Sequence, residues 1–123
     1  MKQAEPLLTP ETLVQLEKDV GSALLPELVA LFISDGIDTL AKLQTALQSR
    51  DVAELVLLAH TLKSVCATYG ANQSHLEAKA MEMACRQQRW DAIAQYLAAL
   101  KYSIPASSDD LRGLVSEHSL LSH

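Results

Sequence analysis

An all-α fold is predicted: an antiparallel four-helix bundle with a short additional helix at each end. Three observations carry it. Apolar residues make up 49% of the chain and aromatics only 4%, so Leu, Ala, Val, Ile and Met dominate and strong helix formers outnumber the residues that strands prefer. Apolar positions recur at spacings of three and four, and no stretch alternates with the period of two that a half-buried strand requires. Start and stop signals cut these stretches into segments with short connections, the pattern of antiparallel neighbours.

The first helix is expected near 10–20. Thr9 is placed as its cap, Pro10 in the first turn, Glu11 where the helix dipole favours an anion, and Gly21 as the stop. A second helix runs from about Pro26 to about Gln48 on the spacing of Leu28, Leu31, Phe32, Leu40, Leu43 and Leu47, with Gly36 as a soft point inside it. Asp51-Val52-Ala53-Glu54 has the form of a capping box and opens a third helix, which continues through Tyr69 until Gly70 stops it. Asn72 is read as the cap of a fourth helix over about 73–88. A fifth runs from Asp91 to Ile104, where Pro105 ends it, and Trp90 plugs the bundle end just before it. Ser107-Ser108-Asp109-Asp110 then starts a short last helix reaching about His118, followed by a polar tail. The expectation is one domain over 1–123, with a core at about 10–104 and residues 105–123 as a C-terminal helix and tail.

Bulk properties exclude several classes of function. The chain of 123 residues can bury a core without disulfides or metal. Its formal charge is −5, from 10 basic and 15 acidic residues, and no Lys/Arg cluster supplies the footprint that a phosphate backbone needs, so nucleic acid is not an expected partner. No apolar run reaches the roughly 18 to 20 residues of a membrane span, and Met-Lys-Gln-Ala-Glu-Pro lacks the apolar core of a signal peptide. A cytoplasmic protein without a membrane partner is expected. Cys66 and Cys85 lack C-x-x-C spacing and fall within helical patterns, so they are read as buried thiols in a reducing compartment. His75, His118 and His123 show no ligand spacing for a metal and are read as surface residues.

The third helix holds the chemistry. At about 100° per residue, Leu55, Leu58, Ala59, Leu62, Cys66 and Tyr69 share one broad face, which is the core stripe. His60 projects roughly 140° away from its centre, among Ala53, Lys63, Ser64 and Ala67, and is therefore expected to face solvent with room for another protein to approach. A neutral imidazole is a competent nucleophile near neutral pH. Phosphoryl transfer needs positioning and charge neutralisation, which Lys63, one turn away, supplies; Ser64 is small and has a hydroxyl to donate to a phosphoryl oxygen. On local chemistry alone, an exposed His beside a Lys also fits a plain solvated face.

The run Ala59-His60-Thr61-Leu62-Lys63-Ser64-Val65-Cys66-Ala67-Thr68-Tyr69-Gly70-Ala71 resembles the signature of the histidine phosphotransfer (HPt) family, A-H-x-L-K-[small]-x-[small]-x-x-[apolar]-G-A. Upstream, Asp19-Val20-Gly21 and Leu25-Pro26-Glu27-Leu28-Val29 with Leu31-Phe32 are similar to that family's entry into its second helix, and Leu43 to Asp51 to its A-L-x-x-x-D approach. Downstream, Ala78, Met81 and Glu82 fall where members carry a small residue, an apolar residue and Glu. The likeness spans about residues 10–102. It implies that His60 is the phosphoacceptor, that Lys63 steadies the phosphoryl group and that Gly70 ends the helix. Ser64 stands where many members have Gly, and Val65 is larger than the usual small residue. Glu82 corresponds to a position whose side chain nears the histidine and accepts a hydrogen bond from its ring; Lys79, Glu82 and Arg86 equally make a charged stripe typical of a solvated face. Phe32 and Ala67 are candidates for contact with a partner, Phe32 also fitting the core.

The resemblance further implies a phosphocarrier without kinase activity or a cofactor of its own. Its partners would be response-regulator receiver domains and a hybrid histidine kinase, with Mg²⁺ held by the receiver. A monomer is expected, since one exposed histidine suffices and no second apolar helix face is evident. Met1 and the tail after Pro105 favour a free-standing protein over a module of a larger kinase. Two rivals stand beside this reading: a helical adaptor that sequesters a receiver or kinase without being phosphorylated, and a bundle binding metal or a small ligand through inward-facing histidines, against which the projection of His60 argues.

Overall fold

Connections of two to four residues join the helices, so each reverses direction on the last. In the computed structural model residues 6–117 are described, and among them lie five helices and no strand: α1 (Pro10–Val20), α2 (Leu25–Gln48), α3 (Val52–Tyr69), α4 (Asn72–Arg86) and α5 (Trp90–Glu117). α2, α3, α4 and α5 form a closed ring, each packing on the next and α5 returning to α2, while α1 lies against α3 and α2. Their inward faces make one apolar cluster in which Leu43, Leu55, Ala59, Met81, Ile93 and Leu100 are fully buried.

Most boundaries follow the expected signals. The Asp51 side chain accepts the Glu54 N–H at 3.1 Å, as a capping box requires of its first residue. Gly70 ends α3 in the left-handed region at φ +72°, and a Cβ there would lie 2.6 Å from the Thr9 carbonyl oxygen. That closeness is functional for the fold: residues 6–9 cross the α3–α4 connection as a strap, through Thr9 N–H to the Gly70 carbonyl, Gln73 N–H to the Leu7 carbonyl and the Asn72 amide to the Pro6 carbonyl. Asn72 is therefore a strap anchor, not the cap of α4; that position is Ala71, and no side chain caps it. Thr9 occupies the cap position of α1, but its side chain makes no capping bond.

The largest departure is at Pro105. The helix does not end at Ile104; α5 continues as a single element through Pro105, so no separate last helix divides off near 107. Ile93, Leu97, Leu100, Ile104 and Leu111 keep a three/four spacing across the proline and all are buried, while Pro105 itself is exposed. A proline inside a helix costs about 3 kcal/mol. Burial of the stripe on both sides of it outweighs that. Gly36 is likewise a contact rather than a soft point: it is buried in α2, where a Cβ would meet Ile104 Cγ2 at 3.1 Å. Trp90 begins α5, half-buried, with the Arg50 guanidinium 4.6 Å from its ring centre, which ties the α2–α3 turn to the α4–α5 turn at one end of the bundle. The expected last-helix end at His118 and the tail beyond it lie outside the described residues, as do His118 and His123.

One helix, α3, does have the length and mean hydropathy of a membrane span, 1.2 over 18 residues, contrary to the expectation that no segment reaches it. In the fold its apolar face, Leu55, Ala59, Leu62 and Cys66, packs into the bundle, and its other face carries Glu54, His60 and Lys63.

Candidate functional site

α3 buries Leu55, Ala59, Leu62, Cys66 and Tyr69, which turns Ala53, His60, Ser64 and Ala67 outward. The expected orientation is the observed one: the His60 side chain is 54% exposed. Its neighbours along the helix are small, so the ring stands clear of its own element. Across the α3–α4 groove the Glu82 carboxylate faces it, with Oε2 at 3.2 Å and Oε1 at 3.3 Å from His60 Nδ1.

Glu82 is the hub of the cluster. α4 buries Ala78, Met81 and Cys85, and Glu82 lies on the shoulder of that stripe facing α3, only 7% exposed. The solvated-stripe alternative therefore fails for Glu82, although Lys79 and Arg86 on either side of it are exposed. Lys63 Nζ lies 2.7 Å from Glu82 Oε1. Arg86 grips Oε2 from Nη2 at 2.7 Å and from Nε at 3.1 Å. The Lys63 and Arg86 cations, with a smaller contribution from the His60 ring, hold the carboxyl down at about 2 against burial, which pushes the other way. Glu82 is an anion throughout the physiological range. An anion accepts, so the hydrogen on the shared bond resides on His60 Nδ1. The free lone pair of the neutral ring is then on Nε2.

The remaining candidates are placed as follows. Ser64 is exposed, and its hydroxyl donates to the His60 carbonyl oxygen at 3.3 Å rather than pointing past the ring. Ala67 is exposed two turns along from His60 and leaves that face of α3 open. Phe32 is a correction: at 2% exposure it belongs to the core, its ring centroid 4.9 Å from that of Tyr69, and it forms the floor of a groove of about 190 Å³ bordered by Gly36, Thr61 and Val65. It can support a docked surface from below but does not present one. His75 is a second correction: it is half-buried, and its Nδ1–H donates to the Lys63 carbonyl oxygen at 2.9 Å, pinning the start of α4 to the turn that carries Lys63. Cys66 and Cys85 are buried free thiols, pushed up by burial to about 12 and about 11, where they carry no thiolate chemistry. Among the described residues no group of three or more His, Cys, Asp or Glu gathers as metal ligands.

Sequence reasoning missed Arg86 as part of the site. The signal was its position four residues after Glu82, which is also the spacing of an ordinary surface ion pair.

Residues 27–112 match the family model of the Hpt domain. In fold the chain is similar to the crystal structure of histidine-containing phosphotransfer protein B (HptB) from Pseudomonas aeruginosa PAO1, with a TM-score of 0.87 over 94% of this chain and 99% of that one. Identity between the two is 20%, so that likeness speaks to the fold alone. No curated protein matches the chain significantly.

Proposed function

Since the chain belongs to the Hpt domain family, whose members are phosphocarriers of two-component signalling, we propose that it is a phosphorelay intermediate that takes a phosphoryl group on His60 Nε2 from one receiver-domain aspartate and delivers it to another. The observation that carries the reading is the half-exposed His60 ring held by Glu82 through Nδ1, so that its outward nitrogen has the lone pair.

Nε2 attacks the phosphorus of a receiver's aspartyl phosphate; the N–P bond forms as the P–O bond to the aspartate breaks, and that electron pair stays on the aspartate carboxylate. The ring keeps its Nδ1 hydrogen and becomes cationic, opposite the Glu82 anion. Transfer of this kind is carried by positioning and charge. Lys63, a 26% exposed side chain on a flexible stem one turn from His60, can swing from Glu82 to a phosphoryl oxygen. Arg86 is 59% exposed and can follow. Ser64 rotates its hydroxyl toward the group or stays clear of it. Mg²⁺ belongs to the receiver, whose acidic pocket also supplies the aspartate. The protein performs no ATP chemistry, works in the cytoplasm as a monomer, and meets a hybrid histidine kinase and response-regulator receivers over the open face of α3 around Ala67.

A radiolabelled phosphorylated receiver, mixed with wild type and with His60→Ala, tests this. Acid-labile, alkali-stable label on wild type alone is the expected result. Retained receiver binding with no label on either protein would favour a sequestering adaptor instead.

A further inference from the structure

Resting on that reading, we propose that Glu82 acts in the outgoing half of the relay as well as the incoming one, as a positioning residue that keeps the Nδ1 hydrogen on phosphorylated His60 so that the imidazole leaves as a neutral group. The reason lies in which atoms carry charge. When the acceptor's carboxylate oxygen attacks phosphorus, the N–P bond breaks and its electron pair returns to Nε2. If Nδ1 still carries its hydrogen, the departing ring is neutral imidazole. If that hydrogen has been lost to solvent, the departing ring is imidazolate, a far stronger base and a poorer leaving group, and a proton must be found during the step.

The site is built to prevent that loss. Both Glu82 oxygens lie within 3.3 Å of Nδ1, and the Glu82 side chain is 9% exposed, so its charge acts on the ring with little intervening water. Without its hydrogen, the Nδ1 lone pair would face the carboxylate oxygens at 3.2 and 3.3 Å, acceptor against acceptor. The surrounding charges show why the carboxylate, and not just any acceptor, is needed. Lys63 from α3 and Arg86 from α4 both face this spot, and each is ion-paired to Glu82 rather than left without a partner beside the ring. α2 brings Asp35, Asp38 and Lys42 to the groove on the Thr61 side of α3, with Lys42 paired to Asp38. α1 meets α3 at the Gly70 end, through Thr9 and Thr12. Glu82 is thus the anion in contact with the ring. When the two cations turn to a phosphoryl group on Nε2, they leave both carboxylate oxygens to Nδ1–H, and the hold on that hydrogen strengthens as the phosphorylated state forms.

The test needs no receiver. Wild type, Glu82→Gln and His60→Ala are phosphorylated with potassium phosphoramidate, and loss of the phosphoryl group to water is followed by ³¹P NMR from pH 5 to 10. Wild type should hold its rate to a higher pH than Glu82→Gln, whose rate falls tenfold for each unit beyond the point where Nδ1 loses its hydrogen; at pH 8.5 the variant should be about tenfold slower, and at pH 5.5 within about twofold. The ¹⁵N resonances of the phosphorylated ring report the same point directly, and they separate a lost hydrogen from a variant that has merely loosened. Superimposable pH profiles and ring titrations in wild type and Glu82→Gln would overturn this role for Glu82 while leaving His60 as the carrier. Equal phosphorylation of His60→Ala and wild type would instead overturn the carrier reading itself.

Discussion

His60 and Glu82 are 22 residues apart in the chain, and the site exists only because α3 and α4 bring them to 3.2 Å. The ion cluster has a pH signature whose sign follows from the Glu82 carboxyl, lowered from 4.5 to about 2 chiefly by Lys63 and then Arg86. A carboxyl depressed in the folded state contributes stability that is fully present above its ordinary value and is lost as pH falls through the depressed one. Wild type should therefore be more stable than Glu82→Gln at pH 6, and the gap should close between pH 4.5 and about 2, as urea denaturation at several pH values would show. A gap that stays constant over that range would contradict the cluster. His60 and Lys63 were legible in the sequence because one helical projection separates them from the stripe Leu55, Ala59, Leu62 and Cys66. The part played by Arg86 was not, and the inward turn of Glu82 was legible through the family resemblance but not from residue spacing. A Lys79, Glu82, Arg86 spacing fits a solvated face equally well until a second helix supplies the facing imidazole.

At the scale of elements, the helix ends make two opposite predictions. Gly70 has φ +72° and the Thr9 carbonyl oxygen 2.6 Å from where a Cβ would be. Gly70→Ala should lower stability by at least about 1–2 kcal/mol, from the left-handed backbone alone, and should loosen the strap formed by residues 6–9. Hydrogen exchange at Thr9 and Gln73, whose N–H groups bond across that strap, would register the loosening. Gln88 is an exposed non-glycine residue at φ 53° in the α4–α5 turn. There Gln88→Gly should stabilise the fold by up to about 1 kcal/mol in denaturant titration, because glycine removes the Cβ penalty. Local signals located these ends well: Asp51, Gly70 and Gly21 all stand where a cap or stop was expected. They failed at Pro105 because a local breaker competes with tertiary packing, and Ile104 and Leu111 are buried on either side of it. The three/four spacing through 93, 97, 100, 104 and 111 was in the sequence, and it outranked the proline.

For the molecule as a whole, the bundle closes where α5 returns to α2, and the part of α5 after Pro105 shares in that closure. Val115 and Arg112 border an apolar groove with Pro26, Val29 and Ile33, and Leu111 is 1% exposed. A chain ended after Ile104 should lose at least about 1.5 kcal/mol and show a lower Tm, since a fully buried Leu by itself contributes about 1.5–3 kcal/mol. An unchanged Tm would mean that the segment is an appendage of the bundle. The closed ring of α2 to α5 holds the site's frame: α3 and α4 are each packed from two sides, so the backbone positions from which His60 and Glu82 project are set by the core. The short connections and three/four spacing made this architecture legible in the sequence.

With Glu82 on Nδ1, the nitrogen proposed to carry the phosphoryl group is the outward Nε2 of His60. The most direct test is a long-range ¹H–¹⁵N spectrum of the protein phosphorylated by a receiver, read for phosphorus coupling on the ring nitrogens. Coupling to Nε2 of His60, with a hydrogen retained on Nδ1, is the predicted result. Coupling to Nδ1, or to a ring nitrogen of another histidine, would contradict the account.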